Sequence, residues 1–288
     1  MTRILKGKEV AASILENDKI LVDSLREKGV IPTLAIFRVG EKDADISYEK
    51  GAIKRCEQAG VRTVLYHFDE NVQVEGFYEK LEEVNQDSTV HGILVFRPLP
   101  KDRFDDDRLR NCISPEKDVD GCSDLSLAGI FTGQDLGFPP CTAQAVIEIL
   151  DHYGIDIPGK DIVVMGRSLV IGRPVAMMLM QRNATVTICH TKTKDLPAIA
   201  SKAQILICTT GKVGIVNRDF TNSDQIIIDV GIDWDEKKQK LSGDVDYEEV
   251  EPYVKAITPV PGGVGSVTTS VLVDHVVKAC LNQTNSDY

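Results

Sequence analysis

Apolar and polar positions change period repeatedly along the chain. Residues 7–28 carry a helical period, and "TLAIFRV" (33–39) is a compact apolar run. Residues 45–59 are helical in pattern, "VRTVLYHF" (61–68) extended, 73–86 helical and "HGILVF" (91–96) extended. Short apolar runs with helices between them predict β-α-β units and a parallel sheet. The pattern breaks between about 97 and 140, where Pro, Asp and Gly accumulate. That segment is predicted to be loop-dominated, and long loops in compact proteins are often binding segments. The alternation then restarts. "TAQAVIEILDHYG" predicts a helix that stops at Gly154, followed by a strand at 161–166, a helix at 172–182 and strands at 184–190, 203–211 and 225–232. "TPVPGGVGSVTTSVLVDHVVKACL" reads as a Gly-rich turn entering a terminal helix. The prediction is an α/β chain of two domains, residues 1–140 plus 268–288 and residues 141–267.

Composition narrows the class. The 288 residues are 42% hydrophobic and 27% charged, which suits a packed core and not disorder. No apolar run approaches the length of a membrane span, and the N-terminus becomes charged too soon for a signal peptide. The net charge of −11 argues against nucleic acid as the main partner. The seven cysteines are scattered without a C-x-x-C pair, and the five histidines have no metal-ligand spacing. Reduced thiols, a cytoplasmic location and no metal are the expectation.

"VVMGRSLVIGRPVAMML" (163–179) reads as a buried strand, a glycine turn and a helix. The spacing is neither G-x-G-x-x-G nor a P-loop. The physics is shared all the same. Gly166 permits a sharp turn at the strand end, and Gly172 permits a phosphate to approach the N–H groups at the helix start. Pro174 suits a first helical turn. A plain strand-turn-helix would look the same. The second strand, "ATVTICH", leads into "TKTKD", with no acid before Asp195. Thr191, Lys192 and Lys194, with Arg167, favour a 2′-phosphate and so NADP over NAD. Otherwise the lysines are a solvated loop.

Six stretches together resemble the methylenetetrahydrofolate dehydrogenase/cyclohydrolases (FolD type). They are "PEKDVDG" (115–121), "PPCTAQAV" (139–146), "GRSLVIGRPVAMMLM" (166–180), "ATVTICHTKTKDL" (184–196), "GDVDY" (243–247) and "TPVPGGVGSVTTSVL" (258–272). The resemblance spans nearly the whole chain. It implies a homodimer of two-domain α/β subunits, the second domain Rossmann-like, with folate bound in the cleft between the domains. It also implies oxidation of 5,10-methylenetetrahydrofolate and, in many members, hydrolysis of the methenyl product. Carried over residue by residue, Asp120 holds the pterin ring, a task that suits a carboxylate facing adjacent N–H donors. On spacing alone Asp120 is equally a turn residue. Tyr48 lines the folate site and is the expected catalytic residue. Without the resemblance it reads as a half-buried core tyrosine. Pro261, Gly262 and Gly263 form the loop over substrate and nicotinamide. Gly166, Arg167, Ser168, Gly172, Pro174, His190, Thr191 and Lys192 form the cofactor set.

The chain departs from the family pattern beside Tyr48. The usual Ser three residues before it is Asp45, and the usual Lys four after it is Ala52. The family's "VQLPLP" reads "VFRPLP" at 95–100, so Phe96 replaces the Gln that bonds the Lys, and Arg97 replaces Leu. Ser266 and Val267 stand where Pro and Met are usual. Hydride transfer needs mainly geometry. Hydrolysis needs proton transfer, typically worth roughly a hundred to ten thousand fold. Ala52 cannot supply it. Arg55 returns to the Tyr48 face, and Arg97 lies beside Phe96, but arginine stays protonated. The expectation is a dehydrogenase with weak or absent cyclohydrolase activity. The alternatives are a fully bifunctional enzyme, another nicotinamide oxidoreductase on the same plan, and a non-catalytic folate/NADP-binding regulatory protein.

Overall fold

A computed structural model describes residues 1–286; Asp287 and Tyr288, the end of the first expected domain, lie outside the described residues. The chain folds as two α/β units.

One unit holds Met1–Ala12 and Thr142–Thr268. Its parallel sheet runs, across its width, Arg3–Ile4, Ala256–Ile257, Ile226–Asp229, Ile205–Cys208, Asp161–Met165 and Thr185–Cys189. From Asp161–Met165 the chain crosses to Thr185–Cys189 on one side, and returns to Ile205–Cys208 on the other. That reversal creates a crevice at the C-terminal ends of the two strands flanking it, the usual ligand position in a Rossmann-like sheet. Ile205–Cys208 is buried throughout, which explains its continuous apolar run. The first twelve residues were expected in the other domain. They belong here because Arg3 and Ile4 pair in parallel register with Ala256 and Ile257. A two-residue strand carries no periodicity that a sequence reading can detect.

The other unit holds Ser13–Cys141 and the chain from Thr269 onward. Its parallel sheet runs Arg62–Phe68, Thr33–Val39, Gly92–Val95. The central strand is buried at all seven positions. Phe37 stacks on Tyr66 at 4.7 Å and meets Phe77 edge-on at 5.8 Å. Phe37 and Phe77 are fully buried, and each contributes about 1.5–3 kcal/mol.

The segment 97–140 is less loop-like than expected. It contains helices Asp106–Cys112 and Asp124–Thr132. Asp105 caps the first through the backbone N–H groups of Asp107 and Arg108, and Ser123 caps the second through Ser126 N. The capping acids and serines supply the same composition that suggests loop. A further difference concerns the terminal helix, Val264–Ser286. By length and composition most of it could cross a membrane, contrary to the expectation, but 61% of its apolar 18-residue window is buried inside the protein. Its apolarity serves the core.

Candidate active site

Tyr48 lies in the second turn of helix Asp43–Ala59, which follows the C-terminal end of the central strand. Asp43 and Asp45 occupy the first turn, where the helix dipole favours acids. Gly60 ends the helix in the left-handed region at φ 81°, its N–H reaching Cys56 O and Glu57 O. The buried positions are Glu49, Ala52, Cys56 and Ala59, so Tyr48 sits at the margin of the buried face, mostly buried. Its phenol hydrogen-bonds the Thr269 side chain, and its ring meets Phe96 edge-on at 5.7 Å. Burial, then the Asp120 charge, push the phenol well above its ordinary range. Ala52, one turn on, is fully buried. The charge of Arg55 acts on Asp18, a buried carboxyl facing Asp274.

Arg97 follows the strand Gly92–Val95. It forms an ion pair with Asp120, Nη2 to Oδ2 3.6 Å, and not with Asp45. Asp120 is partly exposed, and the Cys141 thiol is within hydrogen-bond reach of its carboxylate. Burial raises Asp120 to about 6, with Arg97 opposing the rise. The loop carrying Asp120 is held from within. Asp118 accepts hydrogen bonds from Cys122 N (3.0 Å), Ser123 N (2.7 Å) and Ser126 Oγ (2.7 Å). Lys117 Nζ donates to the carbonyls of Asn85 and Asp87, each at 2.7 Å. His275 Nδ1 donates to Val119 O at 2.8 Å. Gly121 turns the chain at φ +67°, where a Cβ would strike the backbone of Pro139 and Pro140. Thus Tyr48, Phe96, Arg97 and Asp120 come together in one unit, at the C-terminal ends of its strands. Sequence reasoning missed the supports Lys117, Asp118, Cys141, Thr269 and His275. "PEKDVDG" holds Lys117 and Asp118, "PPCTAQAV" holds Cys141 and "TPVPGGVGSVTTSVL" holds Thr269, whereas His275 lies beyond these motifs.

In the six-stranded unit, Gly166 and Thr209 lie at the C-terminal ends of the two strands that flank the crevice. Gly166 has φ +134°, and a Cβ there would collide with the Thr209 hydroxyl. A Cβ on Gly172 would collide with Gly166 O, so helix Gly172–Gln181 starts directly against the turn. Ser168 Oγ accepts from Ile171 N at 3.1 Å, and Pro174 lies buried in the first turn of the helix. The segment after Cys189 is a tight turn: Thr193 Oγ1 accepts from His190 N at 2.9 Å, and His190 Nδ1 accepts from Lys192 N at 3.2 Å. Arg167, Thr191, Lys192 and Lys194 are exposed around these turns. Bare glycine backbone and exposed cations fit a dinucleotide carrying an extra phosphate.

Two buried acids were missed here. Asp229 accepts from the backbone of Gly231, Asp244 and Val245; Asp244 accepts from Thr210 N (2.5 Å) and Lys212 N (2.9 Å). Burial raises Asp229 to about 7. They tie "GDVDY" to the loop after Cys208; that motif contains Asp244, whereas Asp229 ends the strand Ile226–Asp229 outside it. The Pro261-Gly262-Gly263 loop packs on the start of helix Gly7–Glu27: Gly7 N donates to Gly262 O at 2.9 Å. Gly263 is buried where a Cβ would press on Pro259 O, while Pro261 and Gly262 are exposed.

The family model for the catalytic domain of tetrahydrofolate dehydrogenase/cyclohydrolase matches residues 5–120, and that for its NAD(P)-binding domain matches residues 140–284. A protein called bifunctional protein FolD, from Alkaliphilus oremlandii, is 47% identical over 285 residues, 99% of each chain. The crystal structure of bifunctional enzyme FolD from Campylobacter jejuni is similar with a TM-score of 0.94 at 39% identity, covering 98% of this chain and 99% of that one. The Trypanosoma brucei methylenetetrahydrofolate dehydrogenase-cyclohydrolase, complexed with NADP cofactor and inhibitor, gives 0.91 at 30% identity over 98% of each chain. This chain belongs to the tetrahydrofolate dehydrogenase/cyclohydrolase family.

Proposed function

We propose that the chain oxidises 5,10-methylenetetrahydrofolate to the methenyl cation with NADP⁺, and that it also hydrolyses the cation, as the slower of the two reactions. The relatives' names favour the bifunctional alternative over the expected loss of hydrolysis. The residues beside Tyr48 support the difference in rate. The observation that carries the reading is the Asp120 carboxylate, held beside Tyr48 at the strand ends.

When bound, the nicotinamide cofactor accepts a hydride. Arg167, Lys192 and Lys194 would hold its extra phosphate, and Gly166 and Gly172 would let the backbone approach its pyrophosphate. Asp120 grips the pterin edge through N–H donors. Tyr48, kept as a neutral phenol, orients substrate and takes no proton. Oxidation proceeds on that geometry. Hydrolysis needs a proton carrier where water adds and the C–N bond breaks. Ala52 offers a methyl group, Phe96 an aromatic ring, and Arg97 a permanent charge. The thiols at all seven cysteines are free, which supports the cytoplasm. Homodimerisation belongs to the same reading and is checked by sedimentation.

The test is turnover of purified protein with methylenetetrahydrofolate and NADP⁺, with NAD⁺ alongside. Reduction of NADP⁺ supports the reading. Stabilisation by both ligands without turnover would point to a regulatory binding protein.

A further inference from the structure

Phe96 and Arg97 follow the strand Gly92–Val95 and make different contacts. Phe96 N donates to Phe37 O at 2.9 Å, which continues the sheet pairing one residue past Val95. Its ring packs edge-on against Tyr48. The next residue, Arg97, meets Asp120 at 3.6 Å, with 24% and 29% of the two side chains exposed. Both are therefore within reach of a ligand.

The titratable groups around Asp120 are Asp118, the thiols of Cys141 and Cys122, and the Tyr48 phenol. Each of these disfavours a second negative charge when ionised; Arg97 is the cation facing the acid. The family pattern has Lys at position 52 and Leu at 97. This chain has the reverse arrangement, a methyl group on the helix and a cation at the strand end.

We propose that Arg97 is a positioning residue for the folate substrate: it keeps the Asp120 carboxylate ionised, as an acceptor for the N–H donors of the pterin edge. This rests on the folate reading above. A carboxylate accepts two adjacent donors, whereas the carboxylic acid presents a donor of its own to one of them. Asp120 stands at about 6 even with Arg97 beside it. An opposite charge at this range lowers an acid by about one to three units, and partial exposure puts the pair at the low end. Arg97 thereby keeps the folate grip intact at neutral pH.

The experiment measures KM for methylenetetrahydrofolate and for NADP⁺ between about pH 6 and 9 in the parent, Arg97→Leu and Arg97→Lys. In Arg97→Leu the pH at which the folate KM begins to climb should move up by about one unit, a tenfold gain in proton affinity. KM for NADP⁺ should stay within about twofold, and Arg97→Lys should follow the parent curve. Superimposable curves for the parent and Arg97→Leu would overturn the inference. So would a folate KM raised equally at every pH, the mark of a merely structural role. A parent that turns over no methylenetetrahydrofolate overturns the functional reading and this inference together; an active parent with an unmoved curve overturns this inference alone.

Discussion

The ring of Phe96 meets the ring of Tyr48 edge to face, with centroids 5.7 Å apart and planes at 79°. An aromatic side chain thus occupies the place where the family pattern puts an amide, beside a tyrosine whose helix has Ala one turn on. The contact fixes the Tyr48 ring. It offers no route for a proton.

Replacing Ala52 with Lys and Phe96 with Gln together should raise methenyltetrahydrofolate hydrolysis by about a hundredfold, within the usual range of acid–base help. Ala52→Lys alone buries an ammonium without the amide, and should cost about 3 kcal/mol or more of stability. Stopped-flow hydrolysis and thermal melting read both effects. A double variant that hydrolyses no faster than the parent would count against a missing proton carrier.

Asp120→Asn removes a charged acceptor and should raise the folate KM by about tenfold to a hundredfold, since hydrogen bonds to charged groups are worth about 1.5–3 kcal/mol. KM for NADP⁺ should hold. Steady-state kinetics with each ligand varied in turn would reveal an equal rise in both, which would place Asp120 in the scaffold instead.

Arg167→Ala and Lys192→Ala should each reduce the preference for NADP⁺ over NAD⁺. Both side chains are exposed, so about tenfold is expected for each. The ratio of kcat/KM for the two cofactors is the readout, and an unchanged ratio would assign the 2′-phosphate to other residues.

Asp18 tests the packing of the Tyr48 unit. It is 1% exposed, and its Oδ1 has no hydrogen-bond partner among the described residues. Burial, then Asp274, raise its carboxyl well above the ordinary value of 3.8. The folded state therefore holds this proton more tightly than the unfolded chain. The group's contribution is greatest below about pH 4 and is lost as pH rises through neutrality. Asp18→Asn should accordingly be near neutral at about pH 4 and stabilising by about 1–2 kcal/mol at about pH 8. Melting curves across that range check the sign; a gain that shrinks with rising pH would refute it.

Legibility followed the range of the interactions. The central strand Thr33–Val39 and the turn at Gly166 were readable because burial on both faces, and a glycine between strand and helix, leave local patterns. Helices Asp106–Cys112 and Asp124–Thr132 were obscured because their caps are the residues that also make loops. Tyr48 and Asp120 stood out only through the resemblance; neither has a spacing that demands chemistry. Helical periodicity placed Arg55 on the Tyr48 face, but could not show that its charge acts on Asp18. The Arg97–Asp120 pair joins a strand end to a distant loop. No periodicity connects residues so placed, and only the fold brings them together.

The most direct measurement takes the two half-reactions apart on the purified protein. One assay follows methylenetetrahydrofolate-dependent reduction of NADP⁺; the other follows loss of supplied methenyltetrahydrofolate above its spontaneous rate. The expected result is ready oxidation with hydrolysis at least about tenfold slower. Hydrolysis that keeps pace with oxidation would contradict it, and would mean that proton transfer beside Tyr48 needs neither a lysine at 52 nor a glutamine at 96.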